Sequence, residues 1–253
     1  MSVDEAEAAM PDMPPGVELY SAAQVQDSAW GRVLLIGPKQ SGKTVSLANT
    51  LPKPLVINCD GWASMRGAAK LGGKNPQWKS IDVNCERDWM PAVVASERLV
   101  SASIIRSVVL DTATCLVDNL ADEYKARGMK GWDLWGEVND TVLEGCKRLA
   151  NLNAHFFVVC HMQTSDYDGS AGILPLIGGQ LKQRLPRLLD DWILFNVDPT
   201  AVPPASKRRF ILGCHGSWIA SGRNIKSEKI LPADPIAYPK AATDLLIELG
   251  ATP

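Results

Sequence analysis

Eight consecutive residues, Gly37, Pro38, Lys39, Gln40, Ser41, Gly42, Lys43 and Thr44, carry the densest chemistry in the chain. They satisfy the spacing G-x-x-x-x-G-K-[ST], which captures phosphate when it joins a buried strand to a helix. The chemistry is anion binding: backbone N–H groups turn inward as a nest at a helix N-terminus, where the helix dipole also favours negative charge. Lys43 is expected to reach the β and γ oxygens of a nucleoside triphosphate, and Thr44 to offer its hydroxyl to Mg²⁺. A glycine turn that binds nothing is the bland alternative. Against it stands the context, because the aliphatic run at 32–36 reads as a strand and residues 43–51 as a helix ended by Pro52.

Such a site needs a carboxylate at the end of a neighbouring apolar strand to hold the magnesium water shell. The run at 104–110 closes on Asp111, which is therefore the expected metal partner of Thr44, with helix capping as a compatible second role. Thr112 follows where a catalytic Glu often stands, so the base must come from elsewhere. Asp60, after the strand at 54–59 and before Gly61, would lie at the carboxyl edge of the sheet. It serves equally well as an Asp-Gly turn. After the strand at 156–160, His161 and Gln163 stand where a γ-phosphate sensor would lie. The pairs Cys160-His161 and Cys214-His215 do not read as zinc sites, since adjacent strand residues point to opposite faces.

The elements that must position these groups alternate along the chain. Strands at 32–36, 54–59, 104–110 and 156–160 are separated by helices at 43–51, 86–100, 115–125 and 135–153, the last with Val138, Val142, Cys146, Leu149 and Leu152 on one stripe. Continuous apolar strands alternating with helices predict an α/β fold, a mostly parallel sheet flanked by helices. Beyond residue 190, short segments at 192–197, 209–213 and 217–220 predict antiparallel C-terminal strands that extend the sheet, before a last helix over 236–249. Residues 165–179, rich in Gly and small side chains, read as a mobile loop. The segment 125–135 combines Lys125, Arg127 and Lys130 with Trp132 and Trp135, a mixture suited to single-stranded nucleic acid. A polar interhelical turn with partly buried tryptophans has the same composition.

Bulk properties narrow the class. At 253 residues, 46% hydrophobic and 21% charged, the chain is an ordinary globular protein, and its apolar runs are far shorter than the roughly 20 residues of a membrane span. A cytoplasmic protein with no membrane partner and reduced, buried cysteines is expected. Six of the 28 acids and none of the 26 basic residues fall before residue 31. Residues 1–28 are accordingly read as an acidic disordered leader, and 29–253 as one domain whose mild basicity allows polyanion binding without requiring it.

The P-loop strand, Asp-ended second strand, Leu110-Asp111-Thr112, the helix opening at Trp135-Gly136, Val158-Val159-Cys160-His161 and Pro175-Leu176-Ile177-Gly178-Gly179 together resemble the phage-encoded, RecA-core-like single-strand annealing proteins, a branch of P-loop ATPases. The resemblance spans about residues 30–235. It implies a RecA-like core that binds ATP and Mg²⁺, binds and anneals single-stranded DNA, promotes recombination, acts with a single-strand-binding protein and assembles as a ring or filament. The host cytoplasm would be its location. It also implies that Asp60 stands where RecA-type ATPases place a catalytic Glu, one methylene shorter, which predicts slow hydrolysis. His161 and Gln163 match the strand-end sensor, and the loops at 125–135 and 165–179 match two DNA-facing loops. Arg223 or Lys226 would complete a neighbouring subunit's site, with a surface turn as the alternative. Two other readings remain open: a P-loop kinase, for which Arg184 and Arg187 are the only basic pair near a lid position, and a nucleotide-gated scaffold with negligible turnover.

Overall fold

The structure is a computed structural model that describes residues 30–71, 78–167, 170–201, 207–215, 218–219, 225 and 229–252. The acidic leader at 1–28 and the two trans-acting candidates, Arg223 and Lys226, lie outside the described residues. The chain order is β1 (Arg32–Gly37), α1 (Lys43–Thr50), β2 (Pro54–Asn58), α2 (Trp62–Leu71), β3 (Lys79–Asp82), α3 (Glu86–Ser101), β4 (Ser107–Asp111), α4 (Ala113–Ala126) and α5 (Gly131–Ala150). There follow β5 (His155–Tyr167), β6 (Ser170–Pro175), α6 (Leu181–Arg184) with a 3₁₀ turn at Leu185–Leu188, β7 (Asp191–Val197), β8 (Arg208–Leu212), β9 (Cys214–His215), β10 (Trp218–Ile219), β11 (Lys229–Pro232) and α7 (Ala241–Glu248).

The sheet runs β11-β8-β7-β1-β5-β4-β2-β3. From β3 to β7 every pairing is parallel, while β8 and β11 join antiparallel. The strand carrying the phosphate motif is thus separated from the strand ending in Asp111 by β5 alone. Alternation along β1 sends Leu34 and Ile36 into one core with α3, α4 and α5, and Val33 and Leu35 into a second with α1, α2 and α7. All four are fully buried, which is why the strand reads as an unbroken aliphatic run. The stripe Val138, Val142, Cys146 and Leu149 of α5 is buried in the first core as its spacing predicts, with Leu152 packed at its edge. The α/β fold with a mostly parallel sheet and antiparallel C-terminal strands is therefore what the sequence predicts.

Several details differ. The segment at 192–197 is β7, which lies parallel to β1 rather than antiparallel, and 217–220 contributes β10, which among the described residues pairs with β9 in a separate two-stranded ladder; the antiparallel extension of the main sheet is β8 and β11. Helix α2 and strand β3 were not anticipated, because small residues and Lys mask their periodicity. The last helix starts at Ala241, since Asp234 caps a turn through the Ile236 N–H. The presumed mobile stretch at 165–179 is half ladder: Met162–Tyr167 pairs with Ser170–Pro175. Residues 168–169 lie outside the described residues.

Candidate functional site

β1 delivers the phosphate motif to the carboxyl edge of the sheet. Gly37 is required by proximity, since a Cβ there would lie 2.5 Å from the Phe195 carbonyl oxygen of β7. Gly42 is required by conformation as well, with φ of 97° at the entry to α1. Behind the loop, Ser46 Oγ donates to the Ala233 carbonyl, and Thr50 Oγ1 accepts the Ala242 N–H, so α7 clamps α1 from the rear.

Lys43 is buried inside the motif, its Nζ donating to the carbonyl oxygens of Gly37 at 3.1 Å and Pro38 at 2.6 Å. Burial lowers its pKa to about 8, against the raising pull of Asp111, Cys160 and Asp60. The adjacent Thr44 Oγ1 donates to Asp111 Oδ2 at 2.7 Å across 67 positions of sequence. Asp111 is fully buried, and burial pushes its carboxyl up to about 6 in spite of the Thr44 hydrogen bond. Its other oxygen, Oδ1, has no hydrogen-bond partner among the described residues. A buried hydroxyl-carboxylate pair with an unsatisfied oxygen is a hard-oxygen donor set, which fits a Mg²⁺ that keeps most of its waters.

A cavity of about 500 Å³ opens over these groups and is lined also by Asp60 and His161. Asp60 Oδ1 accepts from Cys115 Sγ at 3.1 Å, which holds the carboxylate beside the cavity. The turn reading of Asp60 coexists with this placement, because Gly61 adopts φ of 80° and its carbonyl accepts from Ser64 Oγ. His161 sits opposite Gly37 in the β1–β5 register, and its backbone N–H donates to Thr114 Oγ1. Burial first, then the Lys43 charge, lowers the His161 pKa, favouring the neutral imidazole.

Gln163 stands apart from this set. Its side chain donates to the Pro175 carbonyl at 3.4 Å, and it does not line the cavity. Beyond His161, β5 passes the end of β1 and among the described residues pairs with β6 alone, so residue 163 belongs to the hairpin. The nucleic-acid segment at 125–135 is also altered. α5 begins at Gly131, so Trp132 and Trp135 stand on a helix, and a Cβ at Gly178 would lie 2.6 Å from the Trp135 ring. Lys125 pairs with Asp122, while Arg127 pairs with Glu86 and Glu123 and lies 5.3 Å from the Tyr124 ring centroid. Lys130 caps α5 by its backbone position, and Trp132 is 87% exposed.

Two contributors escaped the sequence. α2 walls the cavity with Ala63, Ser64 and Gly67, small residues with no chemical signature. Arg208 Nε donates to the Ser41 carbonyl at 3.1 Å while its guanidinium pairs with Asp234. Only the antiparallel entry of β8 brings that residue to the loop, 167 positions away in sequence. No curated protein matches the sequence significantly. A family model described as an AAA domain, AAA_24, matches residues 31–218, the whole of the phosphate motif, the β4 carboxylate and the β5 hairpin. The chain therefore belongs to the AAA_24 family and contains an AAA-type P-loop domain.

Proposed function

We propose that this protein binds ATP with Mg²⁺, hydrolyses it slowly, and uses nucleotide state to set its affinity for single-stranded DNA, whose complementary strands it anneals. The observation that carries the nucleotide part is the Thr44–Asp111 contact beneath the P-loop, with its unsatisfied buried oxygen. Lys43 would exchange its carbonyl partners for phosphate oxygens. Asp60 and His161, facing the same cavity, would orient water and read the terminal phosphate. Bound Mg²⁺ would neutralise charge on the phosphate oxygens. The shorter Asp60 and the absence of an acid after Asp111 favour slow turnover.

The DNA part rests on the resemblance in sequence and on the hairpin that rises directly from His161 beyond the sheet. Assembly as a homo-oligomer, with Arg223 or Lys226 serving a neighbour's site and a single-strand-binding protein as partner, completes that reading. Nothing favours the kinase alternative: Arg184 is paired with Asp140, and Arg187 lines a cleft with Arg32 at the opposite edge of the sheet. Titration with a fluorescent ATP analogue is expected to show Mg²⁺-dependent binding that Lys43→Ala weakens at least about 100-fold, the loss of several charge-assisted hydrogen bonds. Anisotropy of labelled single-stranded DNA, with and without ATP and Mg²⁺, tests the second part; no binding in any nucleotide state would remove DNA from the function.

A further inference from the structure

The amino edge of the sheet, opposite the P-loop, carries a second set of charged groups that ATP binding does not use. A cleft there is lined by Trp30, Lys53 and Arg106 together with Ser101, Ser103 and Asn151. The residues that precede β1, β2, β4 and β5 meet in it. The Arg106 N–H donates to the Lys53 carbonyl at 3.1 Å, which fixes the two cationic residues side by side, and the Arg106 guanidinium lies 5.7 Å from the Trp30 ring centroid. Two positions in this cleft, Lys53 at φ 39° and Ser103 at φ 56°, hold left-handed backbone without being glycine. Ser103 closes the C-terminus of α3 in this way, its N–H donating to the Val100 carbonyl and the Ile104 N–H to that of Leu99.

A second cleft shares Asn151 with the first and adds Arg32, Lys147 and Arg187. Its one acid, Asp190, is paired with Arg32. Lys53, Arg106, Lys147 and Arg187 have no ion-pair partner among the described residues, and no acid lines the first cleft. Helix C-termini meet this edge too, at the ends of α1, α3 and α5. Each presents about half a negative charge, so together they offset fewer than two of the four cations. The surplus is a positive track running across two adjoining clefts, longer than a single small anion would need.

We infer that this amino-edge track is a phosphodiester-binding surface for single-stranded DNA, formed by Lys53, Arg106, Lys147 and Arg187. The inference rests on the DNA-binding reading above and relocates the backbone contacts, since the cations at 125 and 127 are already neutralised by Asp122, Glu86 and Glu123. The contacts are sequence-independent, because Trp30 is covered by Arg106 and packs edge-on against His155, leaving phosphate as the recognised group.

The test uses the full chain and the triple variant Lys53→Glu, Lys147→Glu, Arg187→Glu, three exposed positions outside the ATP site. Anisotropy with an oligo-dT probe is read across a salt series. At roughly 0.7 of a unit in the log–log salt slope per single-strand phosphate contact, the variant is expected to flatten the slope by about 2 and to lose at least about 10-fold in affinity. Binding of the fluorescent ATP analogue by the same variant is expected to be unchanged, which shows that it folds; should it not be, the neutral variant Lys53→Gln, Lys147→Gln, Arg187→Gln is read in the same way. Wild-type affinity and slope in the folded variant overturn the inference while sparing DNA binding itself, and leave the track to the chain's own acidic residues before Trp30. Absence of DNA binding by the unaltered protein overturns the DNA reading as a whole.

Discussion

Lys43, Thr44 and Asp111 form one buried polar unit beneath the cavity, in which Lys43 Nζ is held by the motif's own oxygens, Thr44 bonds Asp111, and Asp111 Oδ1 has no partner among the described residues. Asp60 faces the same space from the other side, held by a thiol rather than by a cation. Replacing it by Asn keeps the hydrogen bond from Cys115 while removing the basic oxygen, so Asp60→Asn is expected to slow ATP turnover at least about 100-fold with ATP affinity unchanged, the usual scale of a positioned base. Full turnover in a phosphate-release assay would exclude Asp60 from the mechanism. Gly37 gives a structural counterpart. The obstacle to a Cβ there is a backbone oxygen at 2.5 Å, which cannot swing aside as a side-chain tip can. Gly37→Ala is expected to cost about 2 kcal/mol, a fall in Tm of about 4–8 °C for a chain of this size, measurable by calorimetry.

At the scale of elements, what was legible in the sequence is what local chemistry dictates. β1, β2, β4 and the first half of β5 announce themselves because both of their faces are covered, and the groups at their carboxyl ends, Asp60, Asp111 and His161, could be placed from strand endings alone. Gln163 could not, because nothing in residues 156–163 marks the point where β5 passes the end of β1 and changes partner. Arg208 and α2 were invisible for a related reason: their roles arise from long-range packing and leave no local pattern. His155, at the start of β5, is fully buried and accepts the Gly31 N–H at Nδ1. Burial, then the Arg106 charge, lowers its pKa from 6.5 to about 4. As pH falls from about 6.5 the unfolded chain takes up this proton first, so folding stability is lost between about pH 6.5 and pH 4, by about 3 kcal/mol. In urea unfolding, His155→Gln is expected to remove that part of the acid sensitivity; an unaltered pH dependence would show that the imidazole is not buried neutral.

At the scale of the whole molecule, the family match ends at residue 218, yet the fold does not. Ala241, Ala242, Leu245 and Leu246 of α7 are buried in the core that backs the P-loop helix, and β11 completes the edge of the sheet beside β8. A chain cut back to residues 31–218 would expose this apolar face, and is expected to be aggregated in size-exclusion chromatography while residues 30–253 remain soluble. Among the described residues no helix is long and apolar enough to cross a membrane. One feature of this architecture acts over distance. β5 runs without interruption for 13 residues, clamped between β1 and β4 over its first half and free of the sheet over its second. The six steps from His161 to Tyr167 span about 20 Å at the rise of an extended strand. A hydrogen-bonded ladder has no joint, so a tilt imposed at the histidine is magnified at the hairpin's far end as at the tip of an oar.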